Sequence, residues 1–161
     1  MAQNKINPSQ HDQYIILIIM QVVLGELDKR GRTLLHLLAV CDGNHERFIC
    51  LLGECSKEMI CYVDKSGESA LHVAARSGSL CCMRSLVDAN IDLNVQSKGK
   101  LDSPLILAAC HGHLECVQLL LEAKADSSLT TRQGFTAAQW AKKCGHQHIF
   151  KFLSSENNTS A

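Results

Sequence analysis

The sequence predicts an all-α repeat protein, a solenoid of helix-turn-helix pairs joined by β-turn or hairpin loops. Three observations carry this reading. Four segments align without gaps: Gly31-Arg32-Thr33-Leu34-Leu35-His36, Gly67-Glu68-Ser69-Ala70-Leu71-His72, Leu101-Asp102-Ser103-Pro104-Leu105-Ile106 and Gly134-Phe135-Thr136-Ala137-Ala138-Gln139, with starts 36, 34 and 33 residues apart. Each is followed by small residues and then a glycine: Ala39 to Gly43, Ala74-Ala75 to Gly78, Ala108-Ala109 to Gly112, and Ala141 to Gly145. Each then closes with an aliphatic stretch. One unit alone could not bury those apolar residues, so the units must stack.

The elements follow in chain order. Residues 1–27 precede the first unit, and Tyr14 to Leu24 is an apolar run broken only by Gln21. It predicts a helix that partly caps the stack, and its uncovered side is a candidate surface for self-association. A bilayer-spanning helix needs about 20 apolar residues, so membrane insertion is not expected. Unit one, 28–63, opens with Thr33 as N-cap. It is two to three residues longer than its fellows after Gly43, so Asn44 to Lys57 predicts a longer helix or an enlarged loop. Unit two, 64–97, has Ser69 as cap and Cys82, Met83, Leu86 and Val87 on the second helix. Unit three, 98–130, has Ser103 as cap, Pro104 at a first position that has no N–H to lose, and Val117, Leu119, Leu120 and Leu121 behind it. Unit four, 131–153, has Thr136 as cap and Ile149, Phe150, Phe152 and Leu153 as apolar face. Lys142, Lys143, His146, His148 and Lys151 give it the polar outer side of a terminal unit, and a disordered tail is expected over 154–161. The glycines at 43, 78, 112 and 145 suit left-handed turns between paired helices.

Composition narrows the function. The 161 residues are 46% apolar and 20% charged, which supports a folded core rather than disorder. Sixteen basic residues balance sixteen acidic ones, so the overall charge gives no reason to expect a nucleic-acid partner. Nine cysteines, an odd count, without a signal-peptide pattern imply a reduced, cytoplasmic or nuclear chain.

These motifs resemble the ankyrin-repeat family over roughly residues 28–153. Ser103-Pro104-Leu105, Ala108-Ala109, Gly112-His113 and Leu119-Leu120-Leu121 carry the likeness in unit three; Asp64, Gly67, Leu71-His72, Ala74-Ala75 and Gly78 carry it in unit two. Leu101 stands where a turn glycine is expected, Ser97 reads as an inserted residue, and Ile106 and Gln139 replace His, so the turns entering units three and four are expected to differ locally. The resemblance implies a non-enzymatic module that binds a protein partner through turn tips and inner helices, as an adaptor or a small inhibitor or regulator of signalling or transcription. The alternative is an interaction segment or isoform of a larger ankyrin-containing protein. Carried onto this sequence, the contact positions are Lys29, Arg30 and Arg32; Lys65, Ser66, Glu68, Arg76 and Ser77; Lys98, Lys100, Asp102, Cys110 and His111; and Arg132, Gln133, Phe135 and Lys143. Their basic excess favours an acidic segment of the partner, with Phe135 as aromatic anchor.

No catalytic constellation competes with that reading. Thr33 with His36, and Ser69 with His72, have a spacing that could pass for nucleophile and base, but no acidic third member accompanies either pair, and the resemblance assigns these histidines to holding turns and first helices together. Phosphate-cradling Gly-Lys-Ser/Thr loops and His-Glu-x-x-His helices do not occur, and no cofactor is implied. Cys110, His111, His113, Cys116, Cys144, His146 and His148 could be read as zinc ligands. Equivalent residues of stacked helices lie about 8–10 Å apart, too far for one tetrahedral site. Most cysteines read as small buried hydrophobes, with Cys41 and Cys144 the exposed thiols; a metal or redox sensor using Cys110, Cys116 and Cys144 is the remote alternative.

Overall fold

The computed structural model describes residues 27–40, 43 and 45–159. The expected helix from Tyr14 to Leu24 and the Cys41 thiol lie outside the described residues. Among the described residues there are nine helices: α1 Leu34–Leu38, α2 His45–Glu54, α3 Lys57–Ile60, α4 Ala70–Ser77, α5 Leu80–Asp88, α6 Pro104–His111, α7 Leu114–Glu122, α8 Ala137–Lys143 and α9 Gln147–Thr159. Strand structure there is limited to one isolated antiparallel bridge, Val63 to Ser69, at the base of a turn.

The helices form two layers. First helices α1, α4, α6 and α8 pack side by side, while α2, α5 and α7 follow as an outer row and α9 packs on α8. Between the rows runs one continuous core containing Leu35, Phe48, Leu51, Leu71, Met83, Leu86, Leu105, Leu120, Ile149 and Leu153. Burying each such side chain contributes about 1.5–3 kcal/mol, which a five-residue helix such as α1 needs because it is too short to persist alone. Ala74, Ala75, Ala108 and Ala109 are wholly buried, as close approach of neighbouring first helices demands.

Local chemistry starts and ends these helices. Ser103 and Thr136 hydroxyls accept the third-residue N–H of α6 and α8 at 3.3 and 3.4 Å. Gly112 closes α6 at φ +85°, and a Cβ there would lie 2.6 Å from the His146 ring, so glycine is required both by conformation and by space. The lengthening of unit one is neither of the two simple options alone: α2 has ten residues, and an extra one-turn helix, α3, follows it, capped by Ser56. At the other end α9 continues to Thr159, where the sequence reading begins a disordered tail at 154. Ser154 and Ser155 donate to the carbonyls of Phe150 and Phe152, extending the packed helix beyond Leu153.

The turns project from one edge and share a plan. Asp28, Asp64, Ser97 and Thr131 occupy its first corner, and the N–H groups of Gly31, Gly67, Leu101 and Gly134 bond back to their carbonyls. Ser97 is therefore not the inserted residue. It takes the place of an aspartate, accepting from Asp102 N at 3.1 Å, and the extra residue falls among Lys98, Gly99 and Lys100. Leu101 sits at φ +59°, the same left-handed region as Gly67 at +77°, so the turn keeps its shape without the glycine. A single backbone bond joins each turn to the next: Lys65 N to Arg30 O, Lys98 N to Ser66 O, and Arg132 N to Lys100 O.

Histidines tie the units more firmly. Nδ1 of His36 accepts from Thr33 N at 3.2 Å, so Nε2 carries the proton and donates to Glu68 O of unit two at 3.0 Å. His72 repeats this with Ser69 N at 3.1 Å and Asp102 O of unit three at 3.1 Å. Burial lowers the pKa of both rings below the ordinary histidine value. A second set reaches backwards: His113 Nε2 donates to Arg76 O, and His146 Nε2 to Cys110 O. His146 is thus a half-buried tie between units, whereas Lys142, Lys143, His148 and Lys151 are exposed.

Candidate protein-binding groove

Successive turns and inner helices enclose three adjoining hollows along one face. Between units one and two, a 480 Å³ hollow is lined by Lys29, Arg30, Arg32, Lys65, Ser77 and Val73, among others. Between units two and three, a 520 Å³ hollow has Ile106, Leu107 and Trp140 in its lining, with Lys100, Asp102, Cys110 and His111 around them. Ser66, Glu68 and Arg76 belong to both. A third, of 210 Å³, lies between the last two turns and is lined by Lys100, Asp102, Arg132, Gln133, Thr131 and Trp140. Fourteen of the seventeen positions implied by sequence thus fall on one continuous surface. Lys98, Phe135 and Lys143 line none of these hollows.

Phe135 departs from expectation for a physical reason. Its ring is half-buried rather than exposed, meets Trp140 edge-on at 5.8 Å, and lies under the Lys143 ammonium at 4.9 Å. The same ammonium sits 4.7 Å from the Trp140 ring, so this cluster finishes the last unit instead of offering a free anchor. Trp140 is the aromatic residue that lines the hollows, its Nε1 donating to Thr131 Oγ1 at 3.2 Å. A signal for it existed in the sequence: Trp140 falls four residues after its cap, in the same column as Val73 and Leu107.

The charges divide into paired and unpaired sets. Arg32 donates to Asp28 Oδ2 at 2.8 Å, and backbone and side-chain hydrogen bonds from Arg32 hold the Asp28 carboxyl down at about 2. Arg76 presents both terminal nitrogens to the Glu68 carboxylate across the groove. Arg32 and Arg76 are therefore neutralised within the chain and do not add to the basic excess read from the sequence. Asp64 Oδ1 is occupied by the N–H groups of Ser66 and Glu68 at 2.8 and 2.9 Å. Asp102 is half-buried, and that burial raises its carboxyl pKa. Lys29, Arg30, Lys65, Lys100 and Arg132 remain as exposed cations along the rim.

The thiols are distributed differently from the sequence expectation. Of the eight described cysteines only Cys82 and Cys116 are buried; Cys50, Cys61, Cys81 and Cys144 are exposed, and Cys55 and Cys110 are half-buried. Among the described residues, no three His, Cys, Asp or Glu side chains are placed to hold a metal ion together. One pair comes far closer than the about 8–10 Å expected between equivalent residues of stacked helices: Cys110 and Cys144 bring their Sγ atoms to 3.1 Å. They are diagonal neighbours, offset by one residue from equivalence, and their side chains converge.

Comparison with known proteins agrees with this architecture. The family model described as ankyrin repeats (3 copies) matches residues 9–97 and again 94–161. Human ankyrin repeat domain-containing protein 37 is 36% identical over 92 residues, covering 57% of this chain and 58% of that protein. Dauer abnormal formation protein 25 of Caenorhabditis elegans is 30% identical over 100 residues, 62% of this chain and 26% of the relative. The nuclear factor NF-kappa-B p105 subunit of Gallus gallus is 32% identical over 130 residues, 80% of this chain and 13% of the relative. The chain thus spans a little over half of the first of these relatives and about a quarter or less of the others. Among the described residues no helix is long and apolar enough to cross a membrane. With its turns, paired helices, inter-unit histidines and profile match in agreement, the chain belongs to the ankyrin-repeat family.

Proposed function

We propose that this chain is a non-enzymatic binding module that takes an extended, carboxylate-bearing segment of a protein partner along its groove, acting as an adaptor or small regulator. Ankyrin repeats generally mediate protein–protein interaction, and extended concave faces are how solenoids do so. The observation that carries the finer reading is the exposed cationic rim of Lys29, Arg30, Lys65, Lys100 and Arg132 beside a lining that includes the exposed Val40 and the half-buried Trp140. Acidic side chains of a partner would meet the rim, while its apolar side chains would meet the lining, giving orientation as well as attraction.

The test uses fluorescence polarisation with a panel of unstructured peptides that carry glutamate and leucine in varied order, against charge-neutral counterparts. Wild type binds the acidic set, more weakly as salt rises. Arg30→Glu, Lys100→Glu and Arg132→Glu combined weaken it by about tenfold or more without changing the circular dichroism. Equal binding by the folded variant would remove the groove from consideration.

A further inference from the structure

We propose that Cys110 and Cys144 are a redox modification site, forming a reversible intramolecular disulfide by exchange with a low-molecular-weight disulfide such as oxidised glutathione. The inference is independent of what occupies the groove. Cys110 lies in the last turn of α6, and Cys144 directly follows α8. Their sulfurs are 3.1 Å apart, about 1 Å longer than a disulfide bond of roughly 2.05 Å. Two further contacts hold the backbones in this relation. His146, two residues beyond Cys144, donates to the carbonyl of Cys110 at 3.1 Å, and its ring packs on Gly112, two residues beyond Cys110.

The two thiols differ in the way sequential exchange requires. Cys144 is exposed, whereas Cys110 is half-buried, and burial together with its bond to Cys144 pushes the Cys110 thiol up to about 11. Attack therefore begins at Cys144. Its thiolate, having released a proton to solvent, attacks one sulfur of the small disulfide, and one thiolate leaves. Cys110, losing its proton, then attacks the Cys144 sulfur of the mixed disulfide and expels the second small thiolate. In sum, two protein thiols and one small disulfide become one protein disulfide and two small thiols, and the small disulfide is the species reduced. The bond closes a loop between residues 34 apart and fastens unit four onto unit three.

The experiment equilibrates the full chain in glutathione buffers of graded ratio, quenches with acid and alkylating agent, and maps the cysteine peptides by mass. The expected result is a crosslinked Cys110–Cys144 peptide that forms while reduced glutathione is still in excess, a denaturation midpoint that rises with it, and reversal of both by dithiothreitol. With Cys110→Ser, Cys144 stops as a mixed disulfide with glutathione. With Cys144→Ser, Cys110 is modified about tenfold more slowly than Cys144 is in the first variant. The idea is overturned if Cys110 and Cys144 stay alkylatable while other cysteines oxidise, or if either pairs with other cysteines as readily as with its partner. The wild-type peptide map decides these points even if a serine variant fails to fold.

Discussion

The junctions that enter units two and three differ from the one that enters unit four. At the first two, a buried histidine on the inner helix reaches the carbonyl one residue past the next turn's left-handed position: His36 to Glu68 and His72 to Asp102. At the third, Ile106 occupies the histidine's place and is buried, making no such bond. That junction is held by Gln96, whose amide donates to Leu101 O at 2.7 Å and Thr130 O at 2.9 Å, and by His146 on Cys110 O. One part of the stack is thus joined by buried histidines that must stay neutral to accept at Nδ1, and the other by an apolar side chain, an amide and the half-buried His146. The fold accepts either solution because each satisfies the buried groups it covers.

The largest expected effect separates the two kinds of junction by truncation. Ile106→Ala should cost about 3–4 kcal/mol, from lost burial and residual cavity, by the same amount at neutral and mildly acidic pH. His72→Ala should cost about 2–3 kcal/mol at neutral pH, since Asp102 O and Ser69 N lose partners, and visibly less in acid. Urea unfolding at two pH values checks both; equal pH dependence of the two variants would erase the distinction.

A smaller effect is the acid response of wild type. Because burial holds the folded-state pKa of His36 and His72 below the unfolded value of about 6.5, the unfolded chain binds more protons in that window. Their contribution is complete above pH ~6.5 and is lost as pH falls through the window, with a slope of at most about 1.4 kcal/mol per pH unit per histidine. His36→Gln with His72→Gln should flatten the curve there. An unchanged slope in that double variant would show that other groups dominate.

The smallest concerns the one turn without its glycine. Leu101→Gly relieves a left-handed leucine and should stabilise by up to about 1 kcal/mol, with no change in the urea slope. A loss of stability would mean that the leucine side chain contributes more than its backbone costs.

Much of this architecture was legible from spacing because the signals are local. Thr33, Ser69, Ser103 and Thr136 begin helices, and Gly78, Gly112 and Gly145 take left-handed φ where the alignment places them. What could not be read lies in contacts across the period. Phe135 looks like a free ring at a tip until Trp140 and Lys143 arrive from the following helix. The Cys110–Cys144 contact spans one repeat plus one residue, so a search by equivalent positions passes over it. Arg32 and Arg76 read as rim cations because their partners, Asp28 on the same turn and Glu68 on the turn before α4, could equally have faced outward. Trp140 stands apart, because it shares the inner-helix column of Val73 and Leu107, while charge at the turn tips does not mark it.

The extra residue in the third turn carries a lesson about tolerance to change. Arg132 N finds Lys100 O three residues past that turn's first corner, whereas the earlier bonds are made two residues past theirs, to Arg30 O and Ser66 O. The acceptor slides along by one and the slack bulges into Gly99, beside the hollows, while the helices behind remain in step. Insertions at a tip are silent to the stack and audible only to whatever the groove holds. A chain built this way can lengthen or rewrite its recognition loops one at a time, each edit confined to its own finger.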